Sequence, residues 1–430
     1  MQIPQIGQVA LDRDRKAVRP QQLDVRRDLR RRLLLGLRIA ERTLQFLGAD
    51  GYDGSDMPEG NFAAEKPLAE TAMLVYAAAR HASDPCIRNA CRALVQRLSP
   101  YARSARMRWD IVRYPTVCLQ LATPHILLGA LGSNDAAFDD LLGKSWTSSV
   151  SRGHELVPYR ELELLWLRAL WRDDASAEFD AIARKTALGN PVDLLNGTRD
   201  DAYAHTHAVM YYTDLGNWQK TLPRSRDEVL DESAAILARA LVVEDYDLAA
   251  EALMAWPQLS SDWSPAAAFG FRVLASLEDR IGFLPAGRSA ASQLLRLDGH
   301  DKTKCALATS YHTAYVMGML CATALKPGMA SPFEIAGRGD PISLVEQLSM
   351  LIPRTGAHWE EVFDGLETRE QAALAPFLLD VALMQAGRRS DVAQMADLLR
   401  TALDNGLADT TLCAQTAEFL ARAGALVGGD

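Results

Sequence analysis

Asp200-Asp201-Ala202-Tyr203-Ala204-His205-Thr206-His207-Ala208-Val209-Met210-Tyr211-Tyr212-Thr213-Asp214-Leu215-Gly216 carries the period that decides how this chain folds. At about 3.6 residues per turn, Asp200, Tyr203, His207, Tyr211 and Asp214 share one stripe of a helix. Asp201, His205 and Tyr212 share another. Acids, phenols and imidazoles buried without partners are costly, so a helix with such stripes in an apolar chain is expected to line a wet space.

The same period extends outward in both directions. Ala, Leu, Arg and Glu dominate, apolar residues recur every three or four positions, and alternating strand patterns are scarce. Turn signals punctuate the chain at Gly51-Tyr52-Asp53-Gly54, Ser83-Asp84-Pro85, Gly132-Ser133-Asn134-Asp135, Gly189-Asn190-Pro191, Ser260-Ser261-Asp262, Pro285-Ala286-Gly287, Lys326-Pro327-Gly328 and Gly387-Arg388-Arg389. Between them, nearly all-apolar helices are predicted over Pro67–Ala79, Pro115–Leu131 (broken near Pro124), Ala202–Leu215, Pro265–Leu277, Thr309–Leu325 and Pro376–Ala386. Amphipathic partners are predicted over Tyr159–Trp171, Asp231–Val243 and Ser343–Ile352. About six inner and outer pairs point to an all-α fold, an α/α toroid of helical hairpins around a central cavity. The alternative is an open α-solenoid built from the same local pattern. Residues 1–24 lack an apolar period and are expected to form a loose tail, with one domain over residues 25–430.

Composition narrows the partners. With 46 basic and 55 acidic residues the net charge is −9, against a general nucleic-acid binder. Apolar runs such as Leu33-Leu34-Leu35 stop far short of the roughly 18 residues a spanning helix needs, so no membrane partner is expected. Six scattered cysteines without a CxxC pair read as reduced thiols of a cytoplasmic protein. The absence of a P-loop, a strand-borne GxGxxG, a GxSxG, or a haem or flavin motif argues against nucleotide- or flavin-driven chemistry, and no cofactor is expected.

Three segments resemble a known family: Asp201–Gly216, Tyr311-His312-Thr313-Ala314-Tyr315, and Val157-Pro158-Tyr159-Arg160-Glu161-Leu162-Glu163. The resemblance is to an uncharacterised bacterial family, a domain of unknown function often encoded among specialised-metabolite genes, and it takes in most of the chain after the tail. It implies a helical fold and a biosynthetic setting, and brings no catalytic residues.

The candidate site is built on the histidine stripe. His207 is the expected general acid or base, Asp214 its orienter, and His312 a group reaching across the cavity. Tyr203, Tyr211, Tyr311, Asp201 and His205 are expected to bind substrate, with Tyr203 and Tyr211 donating to developing negative charge. Cys305, Thr309 and His312 fall at i, i+4 and i+7, which raises a zinc set of Cys305, His312 and His207. That set lacks any short-spaced motif, and Cys305 as core filler is favoured. Asp173-Asp174 and Glu244-Asp245-Tyr246-Asp247 are read as solvated helix ends, since DxDD and DDxxD are missing. Glu70, Gln120, His125 and Asp380 stand as single polar residues in apolar helices. The expected activity is non-redox acid–base chemistry (cyclisation, isomerisation, elimination or hydrolysis) on a small organic or peptidic substrate. The competing class is a scaffold that binds a metabolite or partner without turning it over.

Overall fold

A computed structural model describes residues 25–46, 65–81, 83–150, 155–172, 178–337 and 339–427. The expected tail, the turn at Gly51–Gly54 and the pair Asp173-Asp174 lie outside them. Among the described residues the fold is all-α, and its only β pairing is an isolated bridge between Asp245 and Gly287. Among the described residues, no helix is long and apolar enough to cross a membrane.

Local chemistry sets the helix ends. Asp84, Ser104, Asp135, Thr198, Ser225, Asp245, Ser264 and Asp391 each accept a main-chain N–H in the first turn of the helix that follows. Pro265 occupies the first turn after Ser264, where its missing N–H costs nothing. Left-handed residues stop the helices: Asp214 at φ 49°, Gly282 at φ 102° and Gly406 at φ 69°. The predicted break in the Pro115–Leu131 stretch falls at Ala122, between the Cys118–Leu121 and Thr123–Ala130 helices.

Six helices pack in a circuit. Glu65–His81 meets Thr123–Ala130, which meets Pro158–Arg172, then Arg199–Thr213, then Tyr246–Leu253, then Tyr311–Ala324, and this last returns to Glu65–His81. The toroid and the open solenoid share the all-α class, and both accommodate these contacts. Val25–Phe46 seals the junction against Tyr311–Ala324. There the two backbones nearly touch: a Cβ on Gly36 would sit 3.2 Å from the Ala314 carbonyl oxygen and 3.3 Å from Gly318 Cα. A larger residue there would push the facing backbone back by a few tenths of an ångström, so glycine suits the approach.

Two memberships of the inner set differ from expectation. Pro265–Ile281 and Ala375–Arg388 are apolar because they pack behind the circuit, against Arg226–Val242 and neighbouring helices. Their places on the cavity wall go to Pro158–Arg172 and Tyr246–Leu253. Apolarity all round reports burial, and burial between two helical layers looks the same in sequence as burial in the inner one.

Candidate functional site

The circuit encloses a cavity of about 620 Å³, lined by residues from each of its walls, including Glu70, Glu163, His207, Glu251 and His312. His207 and His312 therefore face one space. Its cations are neutralised at the wall. Arg160 lies 3.0 Å from Glu163, Arg199 is bound to Asp245 and 3.5 Å from Asp247, and Lys66 is 3.6 Å from Glu70.

Three carboxylates converge on His312. Its Nδ1 lies 3.1 Å from Glu70 Oε1, and its Nε2 lies 3.5 Å from both Asp247 Oδ1 and Glu251 Oε1. Burial by itself would drive the proton off this imidazole. Asp247 and Glu70 more than reverse that, and the His312 pKa stands well above its usual value. The acids respond in kind. Burial pushes the Glu70 and Asp247 carboxyls up, but the His312 charge and neighbouring hydrogen bonds hold both below the ordinary carboxylate range.

His207 has a defined tautomer. Its Nδ1 is 2.9 Å from the Tyr203 carbonyl oxygen and 3.5 Å from Glu251 Oε2. A carbonyl and a carboxylate can only accept, so Nδ1 carries a proton and Nε2 is the nitrogen left to meet a ligand. Tyr159, Tyr203 and Tyr211 surround the ring at centroid distances of 6.0, 5.4 and 5.7 Å.

The tyrosines do not donate into the cavity as anticipated. Tyr203 gives its proton to Asp247 Oδ2, and Tyr211 gives its proton to Glu163 Oε1 at 2.8 Å. Burial first, then the adjacent carboxylates, raises both phenol pKa values. With their protons committed, these hydroxyls present lone pairs. The wall accepts hydrogen bonds more than it gives them.

Other expected site residues serve the fold instead. Asp214 is fully buried, and its carboxylate accepts from Tyr76 Oη, Trp166 Nε1 and Asn217 Nδ2; it does not orient His207. Asp201 closes a capping box with Thr198 at the helix start. Tyr311 is buried behind the wall, edge-on to Tyr315, and helps keep Glu70 ionised. Cys305 sits on Gly299–Thr309, and the chain turns at Ser310 before Tyr311–Ala324 begins, so the i, i+4, i+7 register does not carry through to His312. The zinc set of Cys305, His312 and His207 is not assembled. Of the isolated polar residues, Glu70 and Gln120 line the cavity, whereas His125 pairs with Asp139 and Asp380 is buried near Asp231.

His205 is a core residue. Two positions from His207, it points roughly 200° away around the helix. Its Nε2 meets Ser233 Oγ at 2.9 Å. Burial, followed by the nearby Arg224 charge, lowers its pKa to about 4. Between pH 6.5 and 4 the unfolded chain then takes a proton that the folded chain refuses, so stability falls as the pH drops through that window. The full shift is worth up to about 3 kcal/mol. His205→Gln keeps an amide near Ser233 and is expected to flatten that part of the acid slope, read from urea midpoints at neutral and acid pH. Equal slopes in both proteins would contradict the assignment.

Of the acids around His312, Asp247 falls in the stretch read as a solvated helix end, and Glu251 was not singled out. Asp247 and Glu251 sit at i and i+4 on Tyr246–Leu253, one face of one helix. Their spacing was the available signal. Asp245 is the N-cap that starts this helix, its side chain accepting from the Leu248 N–H.

No curated protein matches this chain, and no solved structure matches it. A family model does match over residues 36–322, a span that takes in every residue lining the cavity. The chain belongs to the family described as a domain of unknown function, DUF6895.

Proposed function

We propose that this chain is a non-redox acid–base enzyme acting on a small, hydrogen-bond-donating substrate, an amine or a hydroxylated compound. One observation carries the proposal. An imidazole with its Nδ1 proton committed to a main-chain carbonyl offers Nε2 to a cavity whose tyrosines and acids accept rather than donate. His207 removes a proton from the substrate, and Glu251, 3.5 Å from Nδ1, stabilises the imidazolium that forms. The tyrosine faces and Trp166 favour a positively charged or electron-poor substrate centre. Cyclisation, isomerisation, elimination and hydrolysis all begin with such a proton transfer. The setting implied by the family resemblance fits a cytoplasmic tailoring step in specialised metabolism.

The test uses a deproteinised extract of the source cells, incubated with the purified chain and followed by mass spectrometry. Wild type is expected to deplete a defined compound, and His207→Ala to slow that depletion by about 10²-fold. His207→Gln, which retains an amide near the Tyr203 carbonyl, is expected to be slowed similarly because it supplies no base. An extract unchanged by wild type, with a compound retained equally by wild type and variant, would instead mark a binding protein.

A further inference from the structure

We propose that Asp247, Glu251 and His312 form a binding site for one divalent first-row transition cation, opening onto the cavity. The proposal does not depend on the catalytic reading, because binding is measured directly.

Ligand spacing is the first argument. At metal–ligand bonds of about 2.0–2.2 Å, neighbouring ligand atoms lie roughly 3.0–3.5 Å apart. His312 Nε2 is 3.5 Å from both Asp247 Oδ1 and Glu251 Oε1, and the ligand atoms all lie within 4.8 Å of one another. Asp247 and Glu251 come from one helix at i and i+4, so their relative placement is set by a single rigid element. His312 arrives from the helix packed beside it.

The support around these atoms is the second and independent argument. A ligating histidine usually gives its other ring N–H to a carboxylate, which fixes the ring and its tautomer. Here Nδ1 faces Glu70 Oε1 at 3.1 Å, which turns Nε2 toward the two acids. The outer carboxylate oxygens are held as well. Tyr203 donates to Asp247 Oδ2, and Thr206 donates to Glu251 Oε2 at 2.7 Å. The outer oxygen of each acid is thus held by a different side chain, Asp247 Oδ1 accepts a further bond from Thr313 Oγ1 at 2.8 Å, and Glu70 stands against the far nitrogen of the imidazole.

The donor set indicates the class of ion. One imidazole with two carboxylates and no thiolate suits Mn²⁺, Fe²⁺, Co²⁺ or Zn²⁺ better than a soft ion, and the two negative ligands match a divalent charge. Glu251 and His312 line the cavity, so coordination positions not filled by the protein face its interior, where water or a substrate oxygen can enter.

The full chain, stripped with chelator, is titrated with Mn²⁺ and separately with Zn²⁺ by calorimetry. One ion per chain is expected with either metal. Glu70→Gln is expected to weaken binding 10–100-fold while leaving the three ligands in place. His312→Gln and Glu251→Gln are expected to weaken it by at least 100-fold, and His205→Gln to leave it unchanged. Pulsed electron paramagnetic resonance on the Mn²⁺-loaded wild-type chain tests the site without any substitution, and is expected to show coupling to one imidazole nitrogen. No saturable binding of either ion to wild type would overturn the proposal. So would bound Mn²⁺ without nitrogen coupling, or affinity that Glu70→Gln and His312→Gln both leave unchanged.

Discussion

Asp214→Ala is expected to cost about 4–5 kcal/mol of folding stability, the largest effect of any single substitution argued for this chain. The carboxylate is fully buried and gathers donors from three parts of the structure. Tyr76 Oη lies 3.0 and 2.8 Å from its two oxygens, Trp166 Nε1 lies 2.8 Å from Oδ1, and Asn217 Nδ2 lies 3.1 Å from Oδ2. Truncation strands those donors in the interior at roughly 1–3 kcal/mol for each one left without a partner. It also puts alanine at φ 49°, ψ 55°, a left-handed conformation that aspartate tolerates and alanine resists by about 1–2 kcal/mol. Asp214→Asn preserves the backbone preference and one acceptor, so it is expected to cost about half as much. Urea denaturation with an unchanged slope measures both. An alanine variant within 1 kcal/mol of wild type would refute the structural role.

Arg32→Ala is expected to cost about 3–5 kcal/mol at neutral pH, for a different reason. The buried guanidinium bonds to Asp28 at 2.6 Å, to the Ala275 carbonyl at 3.2 Å, to Asp279 at 2.8 Å and to Glu278, and so ties Val25–Phe46 to Pro265–Ile281. Glu278 is itself buried, and burial already raises its pKa against the pull of Arg32. Without the arginine, Glu278 is a buried carboxylate that has lost its strongest partner, and its folded pKa rises further above the unfolded value. A raised acid pKa destabilises the fold above that pKa and relaxes as the pH falls through it. The gap between Arg32→Ala and wild type is therefore expected to narrow on acidification. Adding Glu278→Gln should recover much of the loss at neutral pH. A gap independent of pH, unaffected by the second substitution, would mean that packing and not the ion pair ties the two helices.

How far the site can be read from the sequence depends on the residue. Tyr203, His207 and Tyr211 were legible because one helical stripe carries all three, and all three line the cavity. His312 was named through a register with Cys305 that the turn at Ser310 breaks, yet it reaches the cavity. Asp214 lies on the same stripe as His207, two turns further along, yet it leaves the cavity because the helix ends there and its backbone turns left-handed. His205 and Asp201 share the second stripe, and one is sealed in the core while the other caps the helix. A period tells which residues share a face. It does not tell which neighbour that face will meet.

The helical class, the capped helix starts, the break beside Pro124 and the shared direction of Tyr203, His207 and Tyr211 were determined by the sequence alone. These follow from contacts within three or four residues: caps, missing N–H groups and the 3.6-residue turn. The tertiary structure alone decided which apolar helices line the cavity and which lie behind, and that Glu70, Asp247 and Glu251 close on His312. Those acids and the histidine come from three helices far apart in the chain, two of them joined only when the circuit closes beside the Gly36–Gly318 contact. The physical reason is one of range: periodicity records the local turn of the helix, whereas the pairing of charges across a cavity depends on packing that no local pattern encodes.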